Sequence, residues 1–84
     1  MIPIVFYTKP GCHLCEDGQW MLETALKEAP AIDCAVDYVD ITDDAALQAR
    51  YGLRIPVLHR LDVGAELDWP FTPDDILRWL GVPQ

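Results

Sequence analysis

Cys12 and Cys15 lie three positions apart in the run Lys9-Pro10-Gly11-Cys12-His13-Leu14-Cys15. Residues three apart share a face only where the chain is helical, because one turn then brings them together. Ahead of the pair, Ile2 to Tyr7 is a short apolar, β-prone run that stops at a Lys-Pro-Gly turn. After Gly11 the period changes. Leu14, Gly18, Met21, Leu22, Ala25, Leu26 and Ala29 recur at three- and four-residue steps, which predicts a helix ended by Pro30. Cys12 then falls at or near the helix N-cap, where backbone N–H groups lack partners and the macrodipole is positive. Both effects favour the thiolate, which is the reactive form of the side chain. Lys9 adds a positive charge of the same helpful sign, and Glu16 and Asp17 oppose it. Cys15, one turn further on and in line with the apolar stripe, should be the more buried sulfur. An exposed nucleophile with a second sulfur in reach can attack a disulfide and then resolve the mixed disulfide it forms.

Three other residues could tune or serve that chemistry. A protonated His13 would favour a neighbouring thiolate, and the bland alternative is an exposed imidazole with no such duty. Pro56, in Arg54-Ile55-Pro56-Val57-Leu58, is awkward inside a strand because it has no N–H to donate. A cis Ile55–Pro56 bond would turn the chain tightly and leave backbone groups free for a substrate strand, although trans is the common state. Cys34 has no motif around it and reads as a small hydrophobe.

The elements that must position these groups follow from patterning. Ile2 to Tyr7 suits a strand buried on both faces, and Ala35 to Ile41 a second. Thr42, Asp43 and Asp44 open a short helix with Leu47 and Tyr51 on its inner side and Gly52 as its stop. Strand, helix, strand is a βαβ unit, so its strands run parallel. A third strand led by Ile55 to Leu58 and a fourth over Ala65 to Asp68 are joined by too short a turn for a crossover, and so form an antiparallel hairpin. Thr72-Pro73-Asp74-Asp75 opens a last helix with a capping box; Ile76, Leu77 and Leu80 face the sheet, and Gly81 with Pro83 ends it. The order βαβ-α-ββα packs as a four-stranded mixed sheet with helices on both faces. Candidate core residues are Ile4, Phe6, Leu22, Leu26, Val39, Ile41, Val57, Leu77 and Leu80.

Bulk properties bound the function. A chain of 84 residues with 51% hydrophobic residues makes one domain, spanning residues 1–84, and leaves no room for a second core. Fourteen acidic residues against six basic ones give a net charge of -8, which disfavours nucleic acid and anionic membranes and suits solubility or basic partner proteins. The apolar start lacks a basic lead and is broken by Lys9 and Pro10, so the chain reads as a soluble, cytoplasmic protein and by default a monomer. An odd count of three cysteines fits a reducing compartment rather than a disulfide scaffold.

Together, Phe6-Tyr7-Thr8-Lys9-Pro10-Gly11-Cys12-His13-Leu14-Cys15 and Arg54-Ile55-Pro56-Val57-Leu58 resemble the glutaredoxin-like branch of the thioredoxin superfamily, as does Trp69-Pro70-Phe71 before the last helix. The resemblance spans nearly the whole chain. It implies a thioredoxin fold, a thiol-disulfide oxidoreductase acting on protein or small-molecule disulfides, Cys12 as nucleophile, and a cis Pro56 facing the cysteine pair. It also implies glutathione or a thioredoxin-type system as electron source, no bound cofactor, and Lys9 near a glutathione carboxylate, unless Lys9 is simply a solvated turn lysine. The chain departs from glutaredoxins proper in having Cys-His-Leu-Cys for Cys-Pro-Tyr-Cys and no Gly-Gly before the last helix. Two other readings compete. One is a binding module that keeps the fold without catalysis. The other is a metal site, either zinc, for which the usual second ligand pair is lacking, or an iron–sulfur cluster bridging two subunits, the version closer to the family.

Overall fold

In a computed structural model that describes residues 1–82, the β-prone run Ile2–Thr8 forms strand β1. It is followed by helix α1 (His13–Glu28), strand β2 (Cys34–Asp40), a 3-10 turn (Ile41–Asp43) and helix α2 (Ala45–Tyr51). Strands β3 (Val57–Arg60) and β4 (Glu66–Asp68) and helix α3 (Pro73–Trp79) complete the order. The four strands lie β2-β1-β3-β4, with β1 and β2 parallel and the other neighbours antiparallel. This is the mixed sheet that the patterning predicts, and its arrangement is the thioredoxin-like fold.

Strand alternation divides the interior. Ile4, Phe6 and Leu58 point to one face and meet Leu22 and Ala25 of α1 and Ile76, Leu77 and Leu80 around α3. Val5, Tyr7 and Val57 point to the other and meet Ile41 and Tyr51. The capping box of α3 forms as expected, with Thr72 Oγ1 accepting from the Asp75 N–H and Asp75 accepting from the Thr72 N–H.

Several boundaries and burials differ from the sequence reading. The second strand ends at Asp40, whose carboxylate accepts from the Thr42 N–H at 2.8 Å and starts the 3-10 turn that takes Ile41 out of the sheet. Of the three residues read as opening α2, Asp44 is the one that caps it. Gly52 follows the last residue of α2 in right-handed helical conformation, so no left-handed residue makes the stop. The third strand begins at Val57 and not at Ile55, because Pro56 has no N–H for the ladder and the Ile55 N–H donates to the Tyr51 carbonyl. The fourth is shorter by Ala65. Leu14 is exposed: the buried line runs Cys15, Gly18, Leu22, Ala25, and Leu14 sits about 100° round the helix from Cys15. Leu26 and Val39 are half-buried rather than core, while Leu58 and Phe71 join the core. Pro83, read as part of the chain's stop, lies outside the described residues.

Candidate active site

The turn that delivers the cysteines is made by Gly11, whose φ of +73° is a left-handed conformation a side chain would strain. Cys12 follows as the N-cap of α1, and its Sγ accepts a hydrogen bond from the Cys15 N–H at 3.1 Å. The cysteine side chain thus stands where a serine or aspartate cap would, at the positive end of the helix. The two Cα atoms are 5.2 Å apart and the sulfurs lie within bonding reach. Cys15 is 4% exposed and part of the core, whereas Cys12 is half-buried at its edge. The pair is therefore one accessible sulfur backed by a second that substrate cannot easily reach.

Pro56 reaches the same helix from the opposite half of the chain. A Cβ built on Gly18 would lie 2.9 Å from Pro56 Cγ and 3.3 Å from Phe6 Cζ, so the proline ring occupies the space a side chain at residue 18 would need. Gly18 sits one turn past Cys15, and its missing side chain lets the loop before β3 close onto the cysteine helix. The Ile55–Pro56 peptide is cis, as is Trp69–Pro70. Ile55 packs against the clusters on both faces of the sheet, and Cys12 packs against the first of them. The backbone at this corner is largely engaged within the fold: the Ile55 N–H donates to Tyr51 and the Pro56 carbonyl accepts from the Trp69 N–H at 3.2 Å.

Lys9 and His13 are both exposed. Lys9 lines a concavity of about 320 Å³ with Ile41, Thr42, Gln48, Gly52 and Leu53. The His13 side chain is 95% exposed, and its Nδ1 lies 3.7 Å from a carboxylate oxygen of Glu16. Cys34 is half-buried, and burial first and Asp33 second push its thiol up, away from reactivity. Among the described residues no group of three or more His, Cys, Asp or Glu side chains could hold a metal ion.

Sequence reasoning missed the polar network behind the proline loop. Arg54 donates to Asp68 through Nε (3.0 Å) and Nη2 (2.7 Å), and Nη2 also reaches Glu66 at 2.9 Å. Tyr51 donates its hydroxyl to the other oxygen of Glu66 and stacks on Tyr7 with ring centroids 4.1 Å apart. The Tyr51 hydroxyl first, then the Arg54 guanidinium, hold the Glu66 carboxyl below its ordinary range. The only sequence signal was Arg54 standing beside Ile55-Pro56.

A thioredoxin-like fold with a cysteine pair at the start of its first helix defines the class. The family model of the glutaredoxin-like domain (DUF836) matches residues 3–81, and the chain belongs to that family. The crystal structure of protein XcR50 from X. campestris is 42% identical, covers 95% of this chain and 99% of that one, and superposes with a TM-score of 0.73. Protein Ne2328 from Nitrosomonas europaea is 26% identical over 93% of this chain and 89% of that one, with a TM-score of 0.74. No curated protein matches the chain. Among the described residues no helix is long and apolar enough to cross a membrane.

Proposed function

We propose that the protein is a thiol-disulfide oxidoreductase that reduces disulfides through Cys12 and Cys15. The observation that carries this reading is the half-buried Cys12 Sγ at the N-cap of α1, with the buried Cys15 one turn behind it. In the reduced protein the unpaired amides of the first turn favour the Cys12 thiolate. That thiolate attacks one sulfur of a substrate disulfide, forming a mixed disulfide and releasing the other substrate sulfur as a thiolate, which takes a proton from water. Cys15, once deprotonated, attacks Cys12 Sγ and releases the second substrate thiolate. The substrate gains two electrons and two protons as the Cys12–Cys15 bond forms. An external thiol or dithiol reductant returns them.

Ile55 and Pro56 serve as the wall against which substrate lies, supported by the contact of Pro56 with Gly18. Lys9 offers a cation beside the concavity under the same loop. Glutathione finds less to hold its other end. At the start of α3 the Thr72 N–H and the Asp75 N–H are already taken by side chains, Pro73 has no N–H, and Asp74 and Asp75 repel an anion. These features favour polypeptide disulfides as substrates and a dithiol as reductant. Disulfide reduction by the wild type compared with Cys12→Ser tests the reading. Loss of turnover in the variant is expected, and equal rates would leave a fold without this activity.

A further inference from the structure

Arg54 sits in the five-residue link Gly52 to Pro56 between α2 and β3, directly after Leu53, whose side chain is fully exposed. The link's N–H groups tie it to α2, Gly52 donating to the Gln48 carbonyl (2.8 Å) and Arg54 (2.8 Å) and Ile55 (3.0 Å) to the Tyr51 carbonyl, and at its far end the Pro56 carbonyl accepts from the Trp69 N–H (3.2 Å). The Pro56 bond meets the chain one residue past β4, and the three N–H bonds reach only α2. The Arg54 side chain reaches β4 itself. Its guanidinium forks onto Asp68 at the end of β4 and reaches Glu66 on the same strand, while resting 5.0 Å above the Tyr51 ring. Tyr51 in turn stacks on Tyr7 of β1, the strand that runs into the turn before Cys12. One side chain thus joins β4 to the helix that precedes the proline corner, and through Tyr51 it is linked to the strand that delivers the sulfurs.

We infer that Arg54 is a positioning residue for the Ile55–Pro56 corner and makes the site selective for polypeptide disulfides over small ones. The inference rests on the disulfide-reducing reading above. A planar guanidinium held by two carboxylates fixes direction as well as distance, which a point charge does not. A small disulfide needs only the Cys12 sulfur and room to approach it. A polypeptide disulfide also lays main chain and neighbouring side chains across the corner, so its binding depends on where Ile55 and Pro56 stand. Displacing a positioning element by a fraction of an ångström costs orientation and leaves the reacting sulfurs themselves unchanged.

The test compares reduction of insulin with reduction of hydroxyethyl disulfide by the wild type and by Arg54→Gln. The expected result is a fall in kcat/KM for insulin of about tenfold, carried mainly by KM, and at least fivefold larger than the fall for the small disulfide. Arg54→Lys should recover less than half of the loss, because an ammonium cannot fork. Asp68→Asn, which keeps the arginine and weakens its acceptor, should move KM in the same direction and serves as the variant of record if Arg54→Gln does not fold. Equal losses on the two substrates, or none on either, would overturn the inference and leave Arg54 a structural residue. A wild type that reduces neither substrate would instead overturn the disulfide-reducing reading itself.

Discussion

On the face of the sheet that carries Cys15, ten buried side chains from Ile4 to Leu80 close together without a charged group among them. On the opposite face five buried residues make a smaller cluster, and one of them, Tyr51, joins Glu66, Arg54, Arg50 and Asp68 in a polar network. Hydrophobic burial is indifferent to direction and nearly indifferent to pH and salt. Charge-assisted hydrogen bonds are directional and respond to both. The cysteine helix therefore rests on the face that conditions disturb least, and the proline loop is aimed from the face where direction matters.

That contrast is open to measurement, starting with the largest effect. Phe71→Ala should destabilise the protein by roughly 3–5 kcal/mol in denaturant unfolding, a large share of the ~5–15 kcal/mol typical of a domain. A cost near 1 kcal/mol would show that the cysteine face is not the main source of stability. Gly18→Ala sets overpacking against Pro56 and Phe6, about 1–3 kcal/mol, against a helix-propensity gain of about 1 kcal/mol. Net destabilisation is the expected sign, and a more stable variant would mean the proline ring yields without cost. Tyr51→Phe on the other face removes one hydroxyl from Glu66 and should cost about 1–2 kcal/mol.

The smallest effect is the pH dependence that Glu66 contributes on the polar face. The Glu66 carboxyl titrates below its ordinary value of 4.5, chiefly through the Tyr51 hydroxyl and then Arg54. Its stabilisation is thus fully present above that pH and fades as pH falls through the lower folded value. Thermal unfolding of wild type and Glu66→Gln should differ at neutral pH and converge in acid. A gap that widens as pH drops would contradict the sign.

Much of this was legible in the residues. The unbroken apolar, β-prone run Ile2 to Tyr7 and the three- and four-residue steps after Gly11 placed Cys12 at a helix start, because β-propensity and helix period are local properties. The Thr72 to Asp75 cap was readable for the same reason. Leu14 was misplaced because periodicity gives a stripe without saying which residue leads it. The bond from Arg54 to Asp68 spans 14 positions and joins elements whose meeting depends on sheet order, so composition held no trace of it. Gly18 was read as one member of an apolar stripe; its use, as the gap filled by Pro56, appears only when the two halves are packed together.

The central claim is that one accessible sulfur does the attacking while the sulfur behind it completes the exchange. Treating the reduced Cys15→Ser protein with a disulfide substrate and mapping the product by mass spectrometry tests this most directly. The account predicts a stable mixed disulfide on Cys12, with Cys34 still a free thiol. An adduct on Cys34 instead, or no adduct at all, would contradict it.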